Sequence, residues 1–393
     1  TIFPRIMWYD ETIKNMAFQR DKVLGSCMTE DEEEAKMLNA ILDELKLNAL
    51  VITDPYNMRH VSGFRGGEGA LYISAAQKVL ITDSRYTEQA GKESDFTVIE
   101  ECRGHNRQTI LKECMEKENV SGDFHMGYED QSMLCCDFDK LRKELPVQTW
   151  TPLGSRIDDL RQIKTKEELE YLAKAEEIGD KAFAEFLKIV KPGMTELEAA
   201  AELEYLMKKE GAEDLSFNTI IASGLNSSMP HAIPGYKKLE EGDFVTCDFG
   251  CKYKGYCSDM TRTFVLGKAS DKQKEIYNVV LKAQLAGLAA VKAGVSGASV
   301  DKVARDIITE AGYGDCFGHG LGHSVGLFIH ESPRLSLSDD TILKANMIET
   351  VEPGIYVPGF GGVRIEDMVV VTEEGCHNLS HFPKELIEVP VEG

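Results

Sequence analysis

Residues 243–266 read Asp-Phe-Val-Thr-Cys-Asp-Phe-Gly-Cys-Lys-Tyr-Lys-Gly-Tyr-Cys-Ser-Asp-Met-Thr-Arg-Thr-Phe-Val-Leu. Apolar alternation over 244–249, a glycine-bearing turn around 252–255 and a second β-rich run at 261–266 predict an antiparallel hairpin. Asp248 and Asp259 are symmetric about residue 253.5, inside that turn. Residues so placed face each other with Cβ atoms roughly 5 Å apart. Two carboxylates held side by side in a sheet repel unless a proton or a metal sits between them. The plainer alternative puts one aspartate in the turn and pairs the other with Arg262.

An internal repeat gives this hairpin a counterpart. Val190-Lys191-Pro192-Gly193-Met194-Thr195 matches Val291-Lys292-Ala293-Gly294-Val295-Ser296 at an offset of 101, which also carries Gly211 onto Gly312 and Asp214 onto Asp315. Each copy reads helix, turn, helix, glycine stop, then strands, which indicates a duplication. After the second copy, Val351-Glu352-Pro353-Gly354 and Val363-Arg364-Ile365-Glu366-Asp367 flank a loop rich in glycine and proline. Glu352 and Glu366 are symmetric about residue 359, again in the turn. Asp367, one residue on, is expected on the opposite face. Two such hairpins related by a pseudo-twofold axis would converge on one four-carboxylate pocket.

Between the hairpins, Phe317-Gly318-His319-Gly320-Leu321-Gly322-His323-Ser324-Val325-Gly326-Leu327-Phe328-Ile329-His330-Glu331 holds three of the nine histidines. Its glycines disfavour a helix, so it is not a His-Glu-x-x-His zinc helix. One histidine here would ordinarily be a satisfied core residue; three beside four clustered acids point to a metal centre. Four carboxylates and an imidazole suit two hard divalent ions, whose charges they balance. Carboxylate-rich sites favour Mn²⁺-like metals, while the imidazole also admits Zn²⁺, Co²⁺ or Fe²⁺. Such a pair of ions activates water for hydrolysis.

The remaining composition narrows the function. Of 393 residues, 66 are acidic and 44 basic, a formal charge of −22, which argues against partners that are nucleic acids or anionic membranes. No apolar run reaches the roughly 18 residues of a membrane span. Ten cysteines without a Cys-x-x-Cys pair are too sparse for a disulfide scaffold and read as reduced thiols. Residues 1–20 lack the pattern of a signal peptide, so a cytoplasmic protein is expected. A helix over 31–48, short apolar runs at 49–53, 70–74, 79–82 and 97–100, and helical patterns at 106–118 and 131–144 predict an α/β domain over residues 1–155. Residues 152–155 read as a linker to a second domain, 156–393.

With these residues in place, the chain resembles the metallopeptidases of the pita-bread fold, which include aminopeptidase P, prolidase, methionine aminopeptidase and the non-metal creatinase. The resemblance implies a creatinase-like α/β N-terminal domain over 1–155. It also implies an α+β pita-bread catalytic domain over 156–393 with an internal pseudo-twofold duplication. By motif, Asp248, Asp259, His323, Glu352 and Glu366 match the metal ligands. His231 and His330 match the histidines that flank the substrate carbonyl, and Glu352 would also shuttle a proton. His319 and Tyr356 match family positions next to the site, with structural support and core packing as their alternatives, and Arg364, beside the Glu366 strand, would orient a ligand carboxylate. Arg334, in His-Glu-Ser-Pro-Arg, would suit a substrate carboxylate, the alternative being a solvated arginine. All five ligands are present, so the likeness to creatinase is one of fold.

The expected activity is hydrolysis, with two divalent ions, of the bond after an N-terminal residue when proline follows. Proline lacks an amide N–H and has a fixed φ, which justifies a dedicated enzyme. The aminopeptidase P type, acting on longer peptides, is slightly preferred over the Xaa-Pro dipeptidase type. The family also implies a homodimer. The alternatives are a methionine aminopeptidase and a non-catalytic binding protein of this fold.

Overall fold

A computed structural model of the chain describes residues 30–118 and 120–391. The reading of residues 1–20 and of Cys27 lies outside them. Two compact units follow one another, the first ending at Arg161 and the second beginning at Gln162.

The first unit runs α1 (Glu30–Leu45), β1 (Ala49–Ile52), α2 (Pro55–Ser62), β2 (Ala70–Ile73), β3 (Lys78–Asp83), α3 (Thr87–Glu93), β4 (Thr97–Glu101), α4 (Arg107–Lys117), β5 (His125–Tyr128), α5 (Cys135–Glu144) and β6 (Thr149–Pro152). Its sheet has the order β4-β3-β2-β1-β5-β6, and only the pairs made by β2 are antiparallel. Strand alternation divides the core in two. Leu50, Ile52 and Leu71 cluster with Leu38 and Ile41 of α1 and Met58 of α2. Val51, Tyr72 and Ile81 cluster with Ile110 and Cys114 of α4 and Leu141 of α5. Helices on both faces of a mostly parallel sheet make this unit α/β.

Strands β5 and β6 carry no apolar run that marks them in the sequence. Gly127 of β5 is bare because a Cβ there would lie 2.8 Å from the side chains of Leu47, Leu50 and Leu153. Leu153 is fully buried in the first core. The stretch 152–155, expected as a linker, therefore belongs to the first unit.

The second unit begins with α6 (Lys166–Phe186), α7 (Glu196–Glu210), β7 (Asp214–Leu215), β8 (Ile220–Ser223), β9 (Phe244–Phe249), β10 (Cys251–Tyr253), β11 (Tyr256–Cys257) and β12 (Met260–Leu266). It continues with α8 (Asp271–Ala290), α9 (Gly297–Glu310), β13 (Gly322–Ser324), β14 (Glu331–Leu335), β15 (Ile348–Val351), β16 (Gly354–Val357), β17 (Gly361–Arg364), β18 (Asp367–Val371), β19 (Cys376–Asn378) and β20 (Ile387–Val389).

The duplication is visible in matched hydrogen bonds. The Gly193 N–H donates to Leu239 O, Leu239 N–H to Met194 O and Leu197 N–H to Gly235 O; Gly294 to Leu343, Leu343 to Val295 and Ala298 to Asp339 repeat the set. Capping boxes open α6 at Thr165 and Glu168 and α8 at Ser270 and Gln273, so helix starts repeat as well. Each copy has its own core: Phe183, Leu203, Phe249 and Phe264 in the first, Ile276, Val300, Val351 and Val369 in the second.

The first hairpin departs from its expected register. Asp248 pairs with Thr261, not Asp259, across β9 and β12. The cause is the turn: Tyr253 pairs with Tyr256, leaving Lys254 and Gly255 as a two-residue loop with φ of 49° and 74°. Both central residues at positive φ fit a type I′ turn, which sets the register. Asp259 is thus a diagonal neighbour of Asp248 on the same face. In the second hairpin Gly354 pairs with Arg364 and Val351 with Asp367, so Glu352 and Glu366 fall opposite each other as expected.

Candidate active site

A cavity of about 520 Å³ is lined by Asp248, Asp259, His323, Glu352 and Glu366. His231, His319, His330, Arg334 and Arg364 line it too, whereas Tyr356 lies behind it against Arg364 and His319. Each carboxylate reaches the cavity from a strand or strand end: Asp248 from β9, Asp259 just before β12, Glu352 just after β15, Glu366 just before β18. His323 sits on β13, which is seated on β15 through the His323 N–H to Thr350 Oγ1 bond at 3.1 Å.

Ligand atoms of Asp259, His323 and Glu366 all lie within 4.8 Å of one another. His323 Nε2 is 3.5 Å from both Asp259 Oδ2 and Glu352 Oε1, while its Nδ1 is 3.1 Å from the Ser324 carbonyl. A proton on Nδ1 leaves the Nε2 lone pair aimed at the acids, the arrangement of a metal-ligating imidazole. Burial lowers the His323 pKa to about 3, so the ring is neutral at physiological pH.

The acids are electrostatically frustrated. Burial raises Asp259 well above the carboxylate range, and Glu366, Asp248 and Glu352 push it the same way. Glu366 is raised by burial and then by Glu352 and Asp248. Glu352 is raised to about 8 by burial, with Arg364 opposing. Asp248 Oδ1 is buried without a hydrogen-bond partner, although Oδ2 takes the Arg364 guanidinium. Hard divalent cations would relieve both the repulsion and the orphaned oxygen, so these residues fit a metal centre.

Arg364 organises the second layer. Its Nη2 lies 2.6 Å from Asp248 Oδ2, Nε 3.0 Å from Thr261 Oγ1, and Nη1 2.8 Å from the Tyr356 hydroxyl. That hydroxyl is 2.9 Å from His319 Nε2, and His319 Nδ1 is 2.8 Å from the Gly320 carbonyl. Burial and the Arg364 charge lower His319 to about 4, so a neutral ring accepting from Tyr356 completes the chain. Asp367 turns away from the cavity to Arg262 at 2.8 Å, and Arg262 pairs with neither Asp248 nor Asp259.

Three neighbours escaped the sequence reading. Glu176, on α6, is fully buried; its Oε2 accepts the Asp259 N–H at 3.3 Å and its Oε1 the Ser380 hydroxyl at 2.6 Å. Its signal was an acid on the apolar stripe with Leu172, Ala175 and Gly179. Thr261 Oγ1 donates to Glu366 Oε2 at 2.6 Å, and Thr350 Oγ1 to Glu352 Oε1 at 3.2 Å. Both threonines sit two residues from an acid and so share its face.

These features define a metallopeptidase. The profile of Metallopeptidase family M24 matches residues 170–373, and the Creatinase/Prolidase N-terminal domain matches 35–163. The chain belongs to family M24. It is 40% identical over 357 residues to the Xaa-Pro dipeptidase of Pyrococcus furiosus, covering 91% of this chain and 100% of that one. Among solved structures, the Xaa-Pro dipeptidase from Bacillus anthracis superposes with a TM-score of 0.87 at 41% identity, covering 91% of this chain and 99% of that one. The X-Pro aminopeptidase from Thermotoga maritima superposes with a TM-score of 0.82 at 38% identity, covering 88% and 99%. The pita-bread fold expected from the sequence is the fold observed. Among the described residues no helix is long and apolar enough to cross a membrane.

Proposed function

We propose that the chain hydrolyses the peptide bond between an N-terminal residue and a following proline, with two divalent ions held by Asp248, Asp259, His323, Glu352 and Glu366. The supporting observation is the buried four-carboxylate cluster around a neutral His323, beside an orphaned Asp248 oxygen. Mn²⁺ is the first candidate, given the oxygen-rich donor set. When bound, the ions supply Lewis acidity toward the scissile carbonyl and toward water.

The chain's own residues supply the rest. Glu352 lines the cavity with Oε1 3.2 Å from the Thr350 hydroxyl, and from there its carboxylate can take and return a proton. His231 and His330 are exposed along the cavity and can donate to the oxygen or nitrogen of the bond being broken. Arg364 and the Tyr356–His319 chain hold Asp248 in one orientation.

Arg334 pairs with His323 across β13 and β14 and lines the same cavity. An arginine there suits a free substrate carboxylate, which supports Xaa-Pro dipeptides as substrates. The aminopeptidase P reading, with longer peptides, is favoured by the likeness to the Thermotoga maritima enzyme. A homodimer belongs to this proposal, supported by Leu225, Met229, Ile233 and Tyr236, exposed in the segment that carries His231; light scattering of the purified protein tests it.

The deciding experiment strips the protein with chelator and restores Mn²⁺, Co²⁺ or Zn²⁺ separately. Xaa-Pro, Xaa-Pro-Xaa and Met-Ala peptides are then compared. Metal-dependent turnover of the proline peptides is expected. Release of Met from Met-Ala peptides with no proline-peptide turnover would sink the proposal.

A further inference from the structure

We infer that the buried ion pair between Lys164 and Glu331 is a positioning device for His330, acting through the loop between β13 and β14. This inference rests on the reading of His330 as a donor to substrate. The His330 ring meets its surroundings through ring contacts, 4.7 Å from His323 and 6.1 Å from Phe328 between centroids. Its direction therefore depends on the backbone that carries it.

That backbone is held from beneath by Glu331. Glu331 Oε1 accepts the Phe328 N–H at 3.2 Å, which closes the turn ahead of His330. Glu331 Oε2 lies 2.8 Å from Lys164 Nζ, and the two side chains are 3% and 1% exposed. A Cβ at Gly326 would collide with the Glu331 carboxylate, so the loop is shaped around that group. The Gly326 carbonyl in turn accepts the Cys257 N–H at 2.9 Å, and Gly326 N–H reaches Phe328 O at 3.1 Å.

Lys164 is itself on fixed ground. Its N–H donates to Asn346 O at 3.0 Å, and Thr165, the next residue, caps α6 through a capping box. A second acid, Glu349 of β15, is fully buried with neither oxygen hydrogen-bonded. Burial raises its pKa well above the usual range, with the Lys164 charge opposing. A buried pair of this kind gains little net stability over an apolar pair of the same size, so a role in placing the loop accounts for it better.

The test compares wild type, His330→Ala, the apolar double variant Lys164→Met/Glu331→Leu, and Lys164→Met/Glu331→Gln. Neither double variant leaves a buried charge alone, and the glutamine keeps an acceptor for the Phe328 N–H. The apolar variant is expected to lose about tenfold or more in kcat, as a misplaced catalytic group does, with KM and bound metal unchanged. Combined with His330→Ala it should lose no more than His330→Ala alone, and the glutamine variant should recover part of the loss. Wild-type kcat in the apolar variant, a loss that multiplies with that of His330→Ala, or loss of bound metal would each overturn the inference. If the apolar variant does not fold, the glutamine variant is judged by the same comparison with His330→Ala. If His330→Ala alone leaves kcat and KM unchanged, the reading of His330 fails instead.

Discussion

Arg364 Nη2 lies 2.6 Å from Asp248 Oδ2, tying a side chain of the second hairpin to a carboxylate of the first. Both groups are largely buried, and the same guanidinium also reaches Thr261 and Tyr356. Arg364→Met therefore leaves Asp248 without its cation. The expected loss in kcat/KM is about 10–100-fold, the usual cost of losing a group that orients a ligand. Arg364→Lys should rescue little, because one ammonium cannot span three acceptors in a plane. Steady-state kinetics and metal titration on both variants check this.

Metal-free protein should become less stable as pH rises. Glu352 and Glu176 have folded pKa values near 8, above an unfolded value near 4.5. Acids raised in this way favour the folded state most below the unfolded pKa, and that contribution is lost as pH climbs toward the folded one. Between roughly pH 4.5 and 8 the unfolded chain releases protons that the folded one keeps, so stability falls with each step in pH. Urea unfolding of chelated protein at pH 5, 6.5 and 8 should show the decline, and added Mn²⁺ should reverse it at pH 8. A flat profile would contradict the electrostatic account.

Glu366→Gln separates stability from function. It removes one of the charges that push Asp259 upward. The metal-free variant should be as stable as wild type or more so at pH 8, while binding less metal. Differential unfolding and metal analysis on the same sample check both halves.

Arg334→Ala tests how the substrate's carboxyl end is read. If Arg334 binds a dipeptide carboxylate, KM for Xaa-Pro should rise about tenfold or more, as expected for loss of a charge-assisted pair, with kcat little changed. Xaa-Pro-Xaa substrates should respond less. Equal effects on both lengths would remove Arg334 from that role.

Gly322→Ala should damage the site from behind. A Cβ at Gly322 would collide with the Thr350 carbonyl, forcing β13 away from β15 and carrying His323 with it. Overpacking of this kind costs about 1–3 kcal/mol. Chemical denaturation should show that loss, and metal affinity should fall with it.

Much of the centre was legible because β-strands repeat every two residues. That period, with the symmetric spacing of Glu352 and Glu366, placed both glutamates opposite each other, and the register agrees. The offset of 101 residues exposed the duplication, which the matched bonds of Gly193 and Gly294 display. The first hairpin was legible only to the face. Its register depended on which two residues form the turn, and the positive φ of Lys254 and Gly255 moved the partner of Asp248 to Thr261. In the first unit, β5 was hidden because Gly127 yields its space to leucines distant in sequence.

Residue order and local periodicity were thus enough for the existence of both hairpins, the register of the second and the duplicated unit, because those depend on neighbours within one element or one turn. The contacts that hold the acids in one cluster needed the folded chain. Arg364 on Asp248, Glu176 behind Asp259 and Lys164 under Glu331 join residues between 83 and 167 positions apart. No periodicity carries information over such separations. Two of those pairings, Arg364 with Asp248 and Lys164 with Glu331, follow from how the two halves of the duplication close on each other, and Glu176 reaches Asp259 within the first half. The low dielectric of that interior turns spaced acids into a frustrated, cation-seeking cluster.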